Sequence, residues 1–140
     1  MWYNILYIKL DWRPAMKVLN FEDSVFKHSS IAKVLKNIGI VDITWVKNIE
    51  DGLDEIEDAM EPFDLIISDM HYPVTSRGES DFSAGEKLID ILREKNIDIP
   101  VIICSSMRIY IPGMYGTVWY DERSEWREEL KKLITELQSS

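Results

Sequence analysis

The chain alternates short apolar runs with longer amphipathic stretches, and this alternation restricts its fold more than any other feature. The runs hold four to six residues each and are rich in Ile, Val and aromatic side chains. Runs of this length and composition are typical of strands that are buried on both faces. We therefore predict five strands of a parallel sheet, at residues 3–8, 41–46, 63–68, 99–104 and 117–120.

The stretches between these runs are predicted to be helices. Apolar residues recur with a period of roughly 3.6 residues within 22–38, 50–60, 84–95 and a closing segment that begins near Ser124. Gly39 follows the first stretch, where a glycine commonly ends a helix. Strands that alternate with helices favour a doubly wound, flavodoxin-like α/β fold.

Composition excludes several classes of function. The 140 residues have the length of one domain, 1–140, and carry 25 acidic and 16 basic side chains, a formal charge of −9. This charge disfavours binding to nucleic acid and to anionic membrane surfaces. No apolar run is long enough to span a membrane, and the N-terminus does not resemble a signal peptide. The only cysteine, Cys104, excludes an intrachain disulfide, and we expect a cytoplasmic protein.

Polar side chains gather at the predicted carboxyl ends of the strands, the edge where open α/β sheets bind ligands. Asp69 ends the third predicted strand and Ser105 the fourth, Tyr120 ends the fifth, and Lys9 and Asp11 follow the first. A carboxylate, a hydroxyl group on the neighbouring strand and a second acid can together form a site for a hard cation or a phosphoryl group.

Two segments resemble response-regulator receiver (CheY-like) domains. DLIISDMHYP at 64–73 is similar to the third strand of that family, whose terminal Asp accepts a phosphoryl group and is followed by Pro four residues later. Asp69 and Pro73 match that spacing. IPVIICSS at 99–106 resembles the fourth strand, and Ser105 stands where the family has a Ser or Thr that contacts the phosphoryl group. The resemblance covers nearly the whole chain and implies a five-stranded sheet in the order 2-1-3-4-5.

The chain also departs from the receiver pattern. Receivers have two adjacent acids after the first strand, which hold Mg²⁺, whereas Lys9 and Asp11 supply at most one acid here. Receivers end the fifth strand with a Lys, whereas this chain has Tyr120. The short interval between Ser105 and Tyr120 predicts that the fourth helix is shortened or missing.

The resemblance leads to two hypotheses for the site. In the first, Asp69 accepts a phosphoryl group, Ser105 contacts that group, Lys9 offsets its charge, and Asp11 and Asp69 hold Mg²⁺. In the second, Lys9 pairs with Asp69, no metal is needed, and the domain is a pseudo-receiver that acts as an adaptor without phosphorylation. The incomplete acidic pair argues against tight binding of Mg²⁺.

The resemblance implies a signalling module of a phosphorelay and not an enzyme, apart from self-phosphorylation of Asp69. Its partner is a histidine kinase or phosphotransfer protein in the first hypothesis and an unidentified protein in the second, and homodimerisation stays open. Output is expected to pass through protein contacts, without an attached output domain. A flavin or nucleotide binder would need a phosphate loop after the first strand, and KLDWRPAMK has none. A metal-dependent hydrolase would need more ligands than the strand ends supply.

Three further expectations concern single segments. Residues 70–83 are polar, contain Gly and Pro, and are predicted to form a loop. The apolar side chains between Tyr110 and Tyr115 stand in place of the fourth helix, and they either form an interface or cover the sheet. His28 is expected to lie at the surface of the first helix, and Cys104 in the core.

Overall fold

Five parallel strands form one sheet in a computed structural model that describes residues 16–140. In chain order its strands are β1 (Lys17–Phe21), β2 (Asp42–Val46), β3 (Leu65–Ser68), β6 (Val101–Ser105) and β7 (Gly116–Trp119). Their order across the sheet is β2-β1-β3-β6-β7, which is the order that the resemblance implied.

A short antiparallel hairpin follows β3. Its strands are β4 (Tyr72–Pro73) and β5 (Ser80–Asp81), and they form a second sheet of their own. The prediction of a loop over 70–83 was therefore incomplete. The two paired positions hold the ends of the segment together, while the residues between them are turns and bends.

Four helices cover the sheet in the described residues: α1 (Val25–Asn37), α2 (Ile49–Asp58), α3 (Ala84–Glu94) and α4 (Trp126–Ser139). Side-chain caps start the first two, because Ser24 accepts a hydrogen bond from the backbone N–H of Lys27, and Asn48 accepts one from Asp51. Gly39 has φ +86°, the left-handed conformation expected of a glycine just beyond a helix end. No helix within 16–140 is long and apolar enough to cross a membrane.

No helix lies between β6 and β7 in this part of the chain, as the short interval predicted. Ile111 takes over part of the helix's packing role, since it is buried in the core cluster that includes Ile89 and Leu92. Tyr110 is 77% exposed, and Tyr115 is also exposed. The segment thus covers the sheet with its aliphatic side chains and leaves its tyrosines at the surface.

The core consists of two clusters, one on each face of the sheet. Alternating residues of the central strands point to opposite faces, so that Ile66 packs with Leu88 of α3, and Leu65 packs with Leu35 of α1 and Leu130 of α4. Cys104 is fully buried in the second cluster, as expected. The helices fix the sheet from both sides and leave the carboxyl ends of the strands as the polar edge.

The first strand of the sheet is Lys17–Phe21, and the prediction that residues 3–8 are this strand was wrong. Residues 3–8 are more apolar, but β1 tolerates a fully buried Asn20 because that side chain is hydrogen-bonded. Its Nδ2 donates to the Ile67 carbonyl at 2.9 Å, and its Oδ1 lies 2.8 Å from Nδ1 of His28. Residues 3–8, Lys9 and Asp11 lie outside the described residues.

Candidate functional site

Three carboxylates meet where β1 and β3 end. Glu22 and Asp23 directly follow β1, Asp69 directly follows β3, and each offers an oxygen within 4.8 Å of the other two. The two strands are parallel neighbours, which brings their carboxyl ends to the same edge. The prediction that at most one acid follows the first strand was therefore wrong, and the acidic pair is complete.

Glu22 is the most buried member of the acidic cluster, with its side chain only 1% exposed. Oε2 accepts a hydrogen bond from the backbone N–H of Ser24 at 3.3 Å, while the buried Oε1 forms an ion pair with Lys27. Burial raises the pKa of Glu22 to about 7, although the nearby Lys27 ammonium opposes this rise and the Asp69 carboxylate adds to it. Burial therefore disfavours the ionised form of Glu22, and a positive charge beside the carboxylate stabilises that form.

Asp69 is held by backbone groups and stays accessible. Its Oδ1 accepts a hydrogen bond from the N–H of Met70 at 2.7 Å, and its own N–H donates to the Phe21 carbonyl. The side chain is 16% exposed. Close approach of α3 requires Gly85, since a Cβ there would lie 2.7 Å from the Asp69 carbonyl oxygen.

Lys27 brings a positive charge into the acidic cluster from α1. Its Nζ lies 3.2 Å from Oε1 of Glu22 and 3.2 Å from Oδ1 of Asp69, and it donates a hydrogen bond to the Cys104 carbonyl at 2.6 Å. Burial alone would lower the pKa of Lys27, but the two carboxylates raise it above its ordinary value. Lys27 is thus a charged, buried group at neutral pH.

Ser105 and Tyr120 flank the cluster at the ends of β6 and β7. Ser105 is 2% exposed, and its Oγ accepts a hydrogen bond from the N–H of Met107 at 3.1 Å. Its carbonyl accepts the N–H of Tyr120 at 2.8 Å. Because β6 pairs with β3, Ser105 lies on the same sheet edge as Asp69, as predicted from their positions at the strand ends.

The acidic cluster has the chemistry of a site for a hard divalent cation. Its donors are carboxylate oxygens alone, which are the ligands that Mg²⁺ prefers in proteins. The buried Oε1 of Glu22 faces the Lys27 ammonium at 3.2 Å, and a bound cation would add to this charge compensation. Glu22, Asp23 and Asp69 therefore fit a magnesium ion.

Sequence reasoning missed the acidic pair, Lys27 and the neighbourhood of His28. Glu22 and Asp23 had been included in the first predicted helix, although Ser24 is the residue type that commonly caps a helix and places both acids before it. His28 is half-buried and stacks on Trp45 with ring centroids 4.3 Å apart, so the expectation of a surface residue was wrong. The apolar periodicity of the sequence is the same whether a lysine in the first turn of a helix is buried or solvated.

Comparisons with solved structures assign the fold. The chain resembles the chemotaxis response regulator CheY4 of Vibrio cholerae with a TM-score of 0.67, 19% identity, and coverage of 89% of this chain and 99% of that one. It also resembles the receiver domain of the sensor histidine kinase PA1611 from Pseudomonas aeruginosa PAO1, with a TM-score of 0.69 and 18% identity. This match covers 91% of this chain and 100% of that one. The PA1611 domain is described with a magnesium ion coordinated in its active-site cleft.

A receiver domain from Francisella is similar at a TM-score of 0.68 and 22% identity, with 89% of this chain and 98% of that one covered. No protein-family model and no curated protein sequence match the chain. Identities this low establish the fold alone. The predicted resemblance is confirmed at that level, because this chain has the fold of a CheY-like receiver domain.

Proposed function

We propose that this chain is a phosphoacceptor receiver module, in which Asp69 takes a phosphoryl group from the phosphohistidine of a histidine kinase or phosphotransfer protein. The observation that carries the proposal is the cluster of Glu22, Asp23 and Asp69 at the adjoining ends of β1 and β3. The fold supports it, since the structural neighbours include response regulators and a receiver domain of a histidine kinase. Output would follow through protein contacts in the cytoplasm.

Glu22, Asp23 and Asp69 would hold Mg²⁺, whose charge would offset that of the phosphoryl oxygens. The convergence of one oxygen from each of the three acids within 4.8 Å of the others supports this assignment. The magnesium ion described for the receiver domain of PA1611 supports the same class of cation here. Asp11, which the sequence analysis placed in the metal site, lies outside the described residues, and its role stays a prediction.

In this proposal Asp69 acts as the nucleophile. Its Oδ1 is engaged by the N–H of Met70, whereas Oδ2 accepts no hydrogen bond from the described residues. An oxygen–phosphorus bond would form at Oδ2 while the nitrogen–phosphorus bond of the phosphohistidine breaks. The departing imidazole keeps the electron pair and takes up a proton from solvent.

In the same proposal Ser105 contacts the transferred group. Its Oγ accepts the N–H of Met107, which leaves the hydroxyl proton free to be donated to a phosphoryl oxygen. This hydrogen-bonding capacity supports the role that the resemblance implied for Ser105, and that role stays a prediction. Lys9, predicted to offset the phosphoryl charge, lies outside the described residues.

A second candidate function rests on the ion pair between Lys27 and Asp69. An internal ammonium already neutralises part of the acidic cluster without a metal. A domain held in this state would act as a phosphorylation-independent adaptor, the pseudo-receiver considered in the sequence analysis. The two functions differ in whether Asp69 reacts with a phosphodonor.

Intact-mass spectrometry after incubation with acetyl phosphate and Mg²⁺ tests the proposal. We expect the wild-type protein to gain one phosphoryl group that hydroxylamine removes, as an acyl phosphate should. Asp69→Asn should gain none, while Asp54→Asn, an exposed acid on α2, should behave like the wild type. An unmodified wild-type protein, or a gain that persists in Asp69→Asn, would overturn the proposal and favour the adaptor.

A further inference from the structure

Lys27 is a fixed part of the acidic cluster and not a solvated surface lysine. Its side chain is 10% exposed and forms ion pairs with Glu22 and Asp69. It also donates a hydrogen bond to the carbonyl of Cys104. Burial of an ammonium group is costly unless it is paired and hydrogen-bonded, and these three contacts compensate for that cost.

Helix formation does not explain a lysine at this position. Lys27 lies in the first turn of α1, where the helix dipole is positive and a cation is unfavourable. Ser24 accepts the backbone N–H of Lys27 at 3.2 Å, which fixes the start of the helix and the direction in which the lysine leaves it. The contacts of the ammonium group, and not the helix, account for its placement.

The end of β7 is occupied by an aromatic ring. The ring centroid of Tyr120 lies 5.0 Å from Nζ of Lys27, and the ring packs against Trp126 at 4.7 Å. Tyr120 is also tied to Ser105 through its backbone N–H. A side chain at position 120 therefore reaches the ammonium group, but a tyrosine supplies no positive charge there.

We propose that Lys27 is the residue that compensates the charge of a phosphoryl group on Asp69, and that it acts from α1 because the end of β7 carries a neutral ring. This inference rests on the proposed function. Before phosphorylation, the same ammonium pairs with two of the three carboxylates that would hold Mg²⁺, so it competes with the metal. After phosphorylation, it stabilises the added negative charge.

Competition with Mg²⁺ and stabilisation of the phosphoryl group predict opposite effects when the charge of Lys27 is removed. The variant Lys27→Met tests both effects. We expect Mg²⁺ alone to bind the variant about tenfold more tightly, because a repelling charge is lost beside the carboxylates. We expect the rate of phosphorylation by acetyl phosphate at saturating Mg²⁺ to fall by about tenfold or more. A loss of structure would weaken both Mg²⁺ binding and phosphorylation. Tighter Mg²⁺ binding together with slower phosphorylation therefore identifies an effect of charge. Lys33→Met, an exposed lysine of the same helix, should change neither.

Rescue from the neighbouring strand provides a second test. In the double variant Lys27→Met with Tyr120→Lys, a new ammonium group can reach the position that Lys27 vacates, and phosphorylation should recover at least in part. Lys27→Arg, which keeps the charge, should lose less activity than Lys27→Met. A double variant that is no faster than Lys27→Met would contradict the assignment.

A measurement on the wild-type protein avoids any dependence on variant folding. The side-chain ammonium resonance of Lys27 should shift when beryllofluoride is added to the Mg²⁺-saturated protein. A wild-type protein that is phosphorylated at Asp69 but shows no such shift, or a Lys27→Met variant phosphorylated at the wild-type rate, would overturn the inference and leave the proposed function intact. Failure of the wild-type protein to react at all would overturn both.

Discussion

Lys27 and Cys104 are joined by a hydrogen bond of 2.6 Å from the ammonium group of one to the backbone carbonyl of the other, across 77 positions of sequence. The bond connects the first turn of α1 to the end of β6, directly before Ser105. Any movement of the ammonium group toward a phosphoryl group on Asp69 would change a contact of the strand that carries Ser105. The hydrogen bond therefore ties Lys27 to the strand that carries Ser105.

The stability of the metal-free protein should depend on the ionisation of Glu22. Its pKa is raised from 4.5 to about 7 in the folded protein, chiefly by burial, so folding favours the protonated form. The stabilisation is fully present below the unfolded pKa and is lost as pH rises through about 7. We expect the free energy of unfolding of the wild type to fall over this pH range. The fall should exceed that of Glu22→Gln by on the order of 2–3 kcal/mol.

Urea denaturation of both proteins between about pH 4.5 and pH 8, without divalent cations, measures this difference. Glu22→Gln keeps the shape of the side chain and cannot ionise. Identical pH profiles for the two proteins would contradict the raised pKa of Glu22.

Gly85→Ala should distort the site from the side of α3. Alanine is the better helix former by about 1 kcal/mol, but its Cβ would lie 2.7 Å from the Asp69 carbonyl and 2.8 Å from Sδ of Met70. We expect a net loss of stability of about 1–3 kcal/mol together with slower phosphorylation of Asp69. Denaturation should show no comparable loss of stability for Glu94→Ala, a substitution at an exposed position of the same helix. Unchanged stability in Gly85→Ala would contradict the close approach of α3 to the Asp69 carbonyl.

Ser105→Ala and Ser106→Ala form a matched pair at the end of β6. Only Ser105 is buried, and its hydroxyl oxygen accepts the N–H of Met107. Ser106 accepts a hydrogen bond from Trp119 through its backbone carbonyl, which alanine keeps. We expect Ser105→Ala to lose roughly 1 kcal/mol of stability and part of its phosphorylation rate while binding Mg²⁺ normally. Equal phosphorylation rates in the two variants would remove Ser105 from the site.

Ile111 should be essential to the segment that replaces a helix between β6 and β7. It is 6% exposed and packs in the cluster that includes Ile89, whereas Tyr110 is 77% exposed. Truncation of Ile111 to alanine should cost about 2–4 kcal/mol, and truncation of Tyr110 about 0.5 kcal/mol or less. Thermal or urea denaturation compares the two. Similar losses would mean that the segment does not pack as described.

The sequence predicted the central strands well. The apolar segments that contain Ile66 and Ile102 mark strands buried on both faces. The strand Lys17–Phe21 was missed because the more apolar run at 3–8 competes with it as the first strand. Its buried Asn20 is stabilised by tertiary contacts with Ile67 and His28, which no local pattern reveals.

The candidate site was predicted in part for the same reason. Asp69 and Ser105 follow strands that were correctly located, so their meeting at one edge could be inferred. Glu22 was not predicted as a site residue because the first strand was predicted at residues 3–8. Lys27 could not be assigned because its role depends on a carbonyl 77 positions away, at the end of another strand.

The most direct test of the account is a titration of the Mg²⁺-bound protein with beryllofluoride, a stable mimic of the phosphoryl group, followed by amide chemical shifts. Saturable shifts at Asp69, Ser105 and Lys27 that require Mg²⁺ and vanish in Asp69→Asn are the predicted result. An absence of shifts in the wild-type protein at millimolar Mg²⁺, or the same shifts in Asp69→Asn, would contradict the claim that this acidic cluster receives a phosphoryl group.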